Sequence, residues 1–356
     1  MLRRRILSMK LFTNLWSTIA AQEINNPIKI WKRLAWRIPY LFKWKKNPFL
    51  PVRIDIEPNN NCNFQCNHCQ VTHWNKDIVY LQQNSFIKIL DRFPSLLYVN
   101  LQGMGEPLLN KQFISMLKAG EERGISISFH SNGSLCDREI AEQLASLNNT
   151  SIIFSIDGAT AETFEKVRPG SKFQQIKENI KYLVIKRGNY QQNPLSFWTV
   201  ITRKNIHELA QIVELASDLG VSCITFQPFI SNWGKEGMKE YADSIKLSLD
   251  AEDLDIALIE AKKIAPEKSI DLKVFYYNFL SKKRKCPMPW RTSYIAANGD
   301  VVPCAIIGDS DTIKMGNVFE QDFAEIWNSQ EYQDFREKHK THNIPNCCKN
   351  CYLDAN

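Results

Sequence analysis

The chain has 356 residues, of which 44% are hydrophobic and ten are cysteines. This length can bury a sizeable core and exceeds one small module, while ten cysteines are too few for a disulfide scaffold of this size. The net charge of +7 comes from residues 1–50, which hold eleven Lys and Arg and one acid, whereas the remainder holds 34 basic and 37 acidic residues. We therefore expect no broad nucleic-acid-binding surface and no nucleic-acid partner.

The N-terminal segment, residues 1–50, is basic and rich in tryptophan. Apolar residues recur at helical spacing between positions 28 and 42, and Lys and Arg cover much of the other face. Such a helix could pack on the main domain, or residues 1–46 could make peripheral contact with an anionic membrane. The stretch after the first arginines is too short and too polar for a signal peptide or a membrane span. We expect a cytoplasmic protein, with attachment to the inner membrane face as the open alternative.

From residue 51 onward the pattern alternates between strands and helices. The predicted strands cover 52–57, 96–102, 125–130, 151–157, 195–201 and 221–228. The predicted helices cover 85–93, 110–124, 137–147, 160–167, 171–187 and 205–220, with Ser85 and Asp137 as N-caps. Six βα repeats indicate a parallel sheet but fall short of a closed eight-stranded barrel. The sequence thus predicts an α/β fold, a partial (β/α)6 TIM-like barrel, with its active groups at the C-terminal ends of the strands.

The organisation changes after residue 280. We expect a barrel at 51–230, a connecting loop and helix at 231–280, and a small cysteine-rich domain at 281–356. In the last of these, Asn298-Gly299 predicts a hairpin turn. Two short helices are predicted near 321–328 and 329–340.

Three cysteines, Cys62, Cys66 and Cys69, follow the first strand in the spacing C-x3-C-x2-C. Three thiolates can hold a four-iron cluster and leave one iron open to a non-protein ligand. A zinc knuckle with His68 or His73 as fourth ligand is the alternative. Five more cysteines lie between 286 and 351, and such clustering indicates metal in a reducing compartment rather than disulfides.

Together with motifs at later strand ends, this spacing resembles the radical S-adenosylmethionine (SAM) enzymes over residues 50–230. The motifs are GMGEP at 103–107, similar to GGEP, then SNG at 131–133, SIDG at 155–158, and VRPG with its arginine at 168. The resemblance implies that Cys62, Cys66 and Cys69 hold a 4Fe-4S cluster that binds SAM. Reductive cleavage of SAM would then give a 5′-deoxyadenosyl radical that abstracts hydrogen from the substrate.

The same resemblance implies which residues contact SAM. GMGEP would meet the amino group, Arg168 the carboxylate, and the other motifs the ribose, with Asp157 near ribose or carboxylate. His68 takes the place usually held by an aromatic residue near the adenine. The implied cofactor-binding residues are His68, Gly103, Gly105, Glu106, Asn132, Ser155, Asp157 and Arg168.

Residues 281–356 resemble the SPASM/twitch extension of the same superfamily. The resemblance rests on Cys286-Pro287, the hairpin that ends at Cys304, the segment 316–329 and a closing C-x2-C. In that extension, cysteines hold auxiliary four-iron clusters, and five candidates can complete one cubane but not two. One auxiliary cluster is therefore implied, with the ligands Cys286, Cys304, Cys348 and Cys351. Cys347 would be spare, its exchange with Cys348 stays open, and a four-cysteine zinc site is the alternative.

An auxiliary cluster with four protein ligands could accept an electron from a substrate radical. We therefore predict a net oxidation, either dehydrogenation of a carbohydrate or cyclitol or crosslinking in a peptide. A redox-neutral epimerase is an alternative, in which Cys223 on the sixth strand returns a hydrogen atom, although a small buried core cysteine is its ordinary interpretation. A two-cluster electron-transfer protein is an alternative of another class. The expected partners are a reductant such as flavodoxin or ferredoxin, and a small-molecule, lipid-linked or peptide substrate.

Overall fold

The fold is built on one ten-stranded sheet, whose order is β10-β9-β8-β1-β2-β3-β4-β5-β6-β7. The computed structural model describes residues 37–66, 68–188, 195–227, 251–274, 286–341 and 343–348, with Trp31, Leu34 and Ala35. The first seven strands, all parallel, are β1 (Arg53–Ile56), β2 (Tyr98–Leu101), β3 (Ser126–Ser131), β4 (Thr150–Ser155), β5 (Ser196–Val200), β6 (Cys223–Gln227) and β7 (Asp271–Val274). This arrangement confirms the predicted partial barrel. Residues 1–30 and 228–250 of the predicted segments lie outside the described residues.

Helices connect the strands. They are α1 (Arg37–Leu41), α2 (Gln83–Asp91), α3 (Phe113–Glu122), α4 (Arg138–Ala145), α5 (Ala161–Val167), α6 (Phe173–Arg187), α7 (Leu209–Leu219) and α8 (Ala251–Glu267). Apolar residues on one face of the strands β1 to β6, such as Ile54, Phe197 and Phe226, are fully buried in the core. The alternate residues face the barrel lumen and are mostly polar, because side chains alternate along a strand. The lumen is therefore the polar interior of the fold.

Strand β7 lies within the segment predicted as a connecting loop and helix. It pairs in parallel with β6, from Cys223–Asp271 to Phe226–Val274. Its residues, DLKV, are exposed or only half-buried. They lack the apolar run by which the other strands were predicted, because β7 is an edge strand. The barrel sheet therefore has a seventh strand that the sequence pattern did not reveal.

One predicted helix cap is confirmed and the other is wrong. The Asp137 carboxylate accepts from the backbone N–H of Ile140 at 3.0 Å and caps α4 as predicted. Ser85 lies inside α2 instead of before it. The helix begins at Gln83, whose backbone N–H donates to the Gln112 side chain at 2.6 Å. A cap supplied from 29 residues away cannot be read from the local sequence.

The C-terminal part continues the same sheet. It contains α9 (Met288–Arg291), β8 (Tyr294–Ile295), β9 (Asp300–Val302), β10 (Gly316–Asn317), α10 (Phe323–Trp327) and α11 (Gln330–Lys340). Strand β8 pairs in parallel with β1 and antiparallel with β9. The predicted turn at Asn298-Gly299 is confirmed, and Gly299 adopts φ 86°, which glycine tolerates. The two predicted short helices are also confirmed, as α10 and α11. Within the described residues, no helix has the length and apolarity needed to cross a membrane.

Candidate active site

The barrel lumen contains a cavity of about 560 Å³. All three cysteines of the first cluster line it, since the loop after β1 carries them over the strand ends. Burial raises the pKa of Cys62 to about 11 and that of Cys69 to about 12. Thiolates at this place therefore need a nearby positive charge, such as iron, to become stable.

The zinc alternative requires a fourth ligand close to the three thiols. Among the described residues, no group of three or more His, Cys, Asp or Glu side chains is arranged to hold one metal ion. A four-iron cubane distributes its cysteine ligands over separate iron atoms, so the thiols need only surround a common space. His68, one fourth ligand of the zinc alternative, instead places Nε2 3.3 Å from a carboxylate oxygen of Asp157. The side chain of His73, the other, lies outside the described part of the chain.

Glu106 of the GMGEP loop joins two successive strand ends. Its carboxylate is buried and accepts from the Ser131 hydroxyl at 2.8 Å and from the backbone N–H of Asn132 at 2.7 Å. Gly105 beside it packs against the cysteine loop, where an added Cβ would lie 2.5 Å from the Asn59 carbonyl oxygen. Glycine is therefore required here for close backbone approach. Glu106 and Gly105 line the cavity as predicted.

Glu57, which was not predicted as a site residue, binds the GMGEP loop but does not line the cavity. Its Oε1 accepts from the Met104 backbone N–H at 3.1 Å and from the Tyr294 hydroxyl at 2.8 Å. Its Oε2 accepts from the backbone N–H of Ala297 at 3.2 Å. An added Cβ on Gly103 would overlap the Glu57 side chain. The partners are 47 to 240 residues away, so only a three-dimensional arrangement reveals this junction.

Arg168 is held by a buried carboxylate. Its Nε and Nη2 donate to Asp157 Oδ2 at 2.8 and 2.6 Å, and its Nη1 lies 3.9 Å from Cys66 Sγ. Asp157 also accepts from the Val200 backbone N–H at 2.8 Å and has no exposed side-chain surface. Arg168 and His68 line the cavity, whereas Asp157 lies behind them. Burial lowers the pKa of His68 to about 4, so its ring is neutral at pH 7.

The remaining predicted cofactor residues also face the cavity. Gly103, Asn132 and Ser155 line it, and the Asn132 amide donates to the Asn63 side chain of the cysteine loop at 3.0 Å. The structure therefore brings every predicted cofactor-binding residue except Asp157 to one cavity. Asp157 instead positions Arg168.

Cys223 is the first residue of β6 and lies at the N-terminal end of that strand. It shares one face of β6 with Thr225 and Gln227, as strand alternation predicts, but only Gln227 of the three lines the cavity. Cys223 and Gln227 are four positions apart along the strand, which corresponds to about 13 Å. The Cys223 thiol lies 4.0 Å from Asp271 of β7. This position gives no support to a hydrogen-donor role.

The second cysteine group gathers at the C-terminal hairpin. Cys304 and Cys348 are buried, and the pKa of Cys348 is raised first by its contact with Cys347, then by burial and by the charges of Cys304 and Cys286. Cys347 is half-buried, lies 4.0 Å from Cys348 between the sulfur atoms, and is influenced by Lys338. Cys286, Cys304, Cys347 and Cys348 thus influence one another, and the choice of Cys348 rather than Cys347 as the ligand stays a prediction. Cys351 lies outside the described residues.

Comparison with known proteins identifies the class. The model of the radical SAM superfamily matches residues 56–216, and the model of the SPASM iron–sulfur cluster-binding domain matches residues 286–352. Together the two matches cover more than half of the chain. The protein therefore belongs to the radical SAM superfamily and carries a C-terminal SPASM domain.

Particular relatives share much of the chain at modest identity. The tungsten-containing aldehyde ferredoxin oxidoreductase cofactor-modifying protein of Pyrococcus furiosus is 27% identical over 84% of this chain and 87% of its own. The AdoMet-dependent heme synthase of Methanosarcina barkeri is 24% identical over 79% of this chain and 83% of its own. Streptococcus suis SuiB bound to SAM superposes with a TM-score of 0.68 at 18% identity, over 94% of this chain and 78% of that chain. At that identity, the superposition shows a shared fold.

Proposed function

We propose that this radical SAM enzyme oxidises an organic substrate in the barrel lumen, with an auxiliary 4Fe-4S cluster as electron acceptor. When bound, the first cluster would supply reductive cleavage of SAM to a 5′-deoxyadenosyl radical that abstracts hydrogen, with an electron from a flavodoxin or ferredoxin. The observation that carries this proposal is one cavity lined at once by Cys62, Cys66 and Cys69 and by the GMGEP loop, Asn132 and Arg168.

The residues of the chain orient the cofactors in this proposal. Arg168 presents a guanidinium to the cavity, which suits a carboxylate such as that of SAM. Its partner Asp157 prevents it from turning away, because two of its nitrogens donate to that carboxylate. Glu106 and Glu57 fix the GMGEP backbone from two sides, so that the loop meets SAM in a single conformation.

A net oxidation is favoured by the second cysteine group. Cys286, Cys304 and Cys348, with Cys351 as fourth ligand, would leave no iron open for substrate, and the cluster would then serve electron transfer. The epimerase alternative needs a thiol at the reacting carbon, and Cys223 lies about 13 Å along β6 from the cavity-lining Gln227. The geometry therefore favours oxidation over epimerisation.

The relatives bear on the substrate class. The two that match over most of their length are named for a cofactor-modifying activity and for heme synthesis. SuiB, in contrast, was solved with the precursor peptide SuiA. Sequence likeness therefore favours a small organic molecule, and the shared fold keeps a peptide as the second candidate.

Iron and sulfide content with electron paramagnetic resonance test the proposal on anaerobically reconstituted protein. We expect about eight irons per chain and about four after Cys62, Cys66 and Cys69 are all replaced by Ala. One electron paramagnetic resonance signal of the wild type should change when SAM is added, and no signal of the triple variant should change. Cys223→Ala is the matched control and should keep all the iron. About four irons in the wild type with no response to SAM would refute the proposal and favour an electron carrier or zinc protein.

We further propose that the basic N-terminal segment contacts anionic membranes, which would suit a lipid-linked substrate. Trp31, Leu41, Phe42 and Trp44 are all at least 41% exposed, and Lys45 and Lys46 lie beside them. Aromatic side chains next to lysines are typical of surfaces that bind anionic lipid.

Sedimentation with phosphatidylglycerol vesicles tests the membrane proposal. The wild type should bind these vesicles and not phosphatidylcholine vesicles, and Phe42→Ser with Trp44→Ser should abolish binding. Ile185→Ser, at an equally exposed apolar residue on α6, is the control. Equal binding by the double variant and the control would exclude this surface.

A further inference from the structure

The floor of the barrel lumen carries a positive charge that the SAM site does not use. Arg53 is the first residue of β1 and shares the lumen face of that strand with Asp55, and its side chain lines the cavity. Its neighbour Asp55 instead accepts from the Asn100 amide at 2.5 Å and faces the Thr292 hydroxyl at 3.4 Å. Among the described residues, no carboxylate lies within ion-pair distance of the Arg53 guanidinium.

Further guanidinium groups surround this place. Arg291 interacts with Arg53, Arg37 and Asp55, and its pKa is lowered by burial first and then by the two like charges. Asp55 is itself buried, and burial raises its pKa. The guanidiniums of Arg53 and Arg291 both act on this carboxylate, whose charged form burial disfavours. Arg53 therefore has only a weakly charged neighbour, and its own charge can attract an anion.

The walls above the floor are flat and uncharged. The His130 ring packs edge-on against Trp198, with ring centroids 5.2 Å apart, and burial lowers the pKa of His130 to about 4. The Trp198 indole N–H donates to Gln227 at 3.0 Å, which fixes the ring. Higher in the cavity, the buried Oε1 of Gln102 has no hydrogen-bond partner within the described structure. A buried acceptor of this kind can accept a hydrogen bond from a bound molecule.

We propose that the lumen binds a substrate with a carboxylate or phosphate group, which pairs with Arg53 while the body of the substrate packs on Trp198. This inference rests on the proposed function and specifies its substrate class. A guanidinium binds either anion through two parallel hydrogen bonds. Arg53 lies four positions before Glu57, which follows β1 and binds the GMGEP loop, and this spacing corresponds to about 13 Å. The anionic group therefore lies at the end of the substrate remote from the hydrogen that is abstracted.

Ligand-observed NMR titrations on anaerobically reconstituted protein test this assignment. SAM is present throughout, so that Arg168 is already occupied. The probes are phenyl phosphate, benzoate and benzyl alcohol, which share one ring and differ in the charged group. We expect an anion to bind at least tenfold more tightly than the alcohol, and the comparison of the two anions to distinguish phosphate from carboxylate. Arg53→Gln should remove the preference and Arg53→Lys should keep part of it.

Controls separate this inference from the proposed function. Arg123→Gln alters an exposed arginine paired with Asp91 on the surface and should bind the probes as the wild type does. Equal affinity for the alcohol and both anions, or an unchanged preference in Arg53→Gln, would overturn the inference. If Arg53→Gln does not fold, the comparison of the alcohol with the two anions on the wild type still tests the inference. Formation of 5′-deoxyadenosine from SAM and dithionite by the wild type tests the proposed function independently of these titrations.

Discussion

Replacing Glu57 by Gln tests whether one buried carboxylate joins the SAM-binding loop to the SPASM hairpin. The amide has the same shape and keeps one oxygen for the two donors that share Oε1, the Met104 N–H and the Tyr294 hydroxyl. Its NH₂ group then faces the Ala297 N–H, which donates to Oε2 in the wild type. One hydrogen bond to a carboxylate is lost and a buried donor is left unpaired, at a cost of about 1–3 kcal/mol.

Calorimetry of the reconstituted protein measures this cost as a fall in melting temperature of roughly 2–8 °C. The affinity for SAM should fall as well, because the Met104 backbone loses its fixed position. Tyr294→Phe removes one of the three donors. In a double-mutant cycle it should couple to Glu57→Gln by more than about 0.5 kcal/mol, since the two side chains are in contact.

Glu142→Gln is the matched control, because Glu142 also accepts from a tyrosine, Tyr182, at 2.8 Å but lies exposed on the surface. Its melting temperature and SAM affinity should equal those of the wild type, since exposed pairs contribute little. If Glu57→Gln also behaved as the wild type in both measurements, the carboxylate would not be a structural joint. The fixed geometry of the GMGEP loop would then need another explanation.

Three further substitutions are informative. Asp157→Asn should cost about 3 kcal/mol, because it breaks the buried ion pair of Arg168, and should weaken SAM binding measured by calorimetric titration. Gly105→Ala should cost about 1–3 kcal/mol through overlap with the cysteine-loop backbone and should lower the iron content. His339→Gln should flatten the dependence of stability on pH. Burial lowers the folded pKa of His339 to about 4, so the unfolded chain binds the proton first. Stability then falls as pH drops from about 6.5 to 4, by about 2 kcal/mol at pH 5.

Each of these three predictions has a result that would contradict it. Unchanged SAM affinity in Asp157→Asn would show that Arg168 does not need its partner. Gly124→Ala strains a backbone with φ 67°, but its added Cβ meets nothing and lies away from the cysteine loop, so it should keep its iron. Equal iron content in Gly105→Ala would remove the argument from close approach. Unfolding curves of His339→Gln with the same pH slope as the wild type would assign that slope to other groups.

The sequence predicted those parts of the site whose signals are local. The cysteine spacing, the glycine motif and Arg168 each lie within a few residues of a strand end, and parallel topology then brings them to one edge. Ser85 failed as a cap because Gln112, distant in sequence, binds the first turn of α2. Glu57 and Arg53 gave no signal, because a charged residue in a strand is ordinary until its neighbours across the sheet are known.

Strand β1 is the element that relates the two cysteine groups. It leads directly into the first cysteine loop, and it pairs with β2 on one side and with β8 of the SPASM hairpin on the other. Three charged residues lie along this part of the chain, Arg53 and Asp55 in the strand and Glu57 directly after it, and each has different contacts. Glu57 binds both the SAM loop and the hairpin, Asp55 binds Asn100 of β2 and contacts Thr292, and Arg53 is left without an ion pair. Because Asp55 and Glu57 are held in these contacts, the proposed recognition of a substrate anion falls to Arg53.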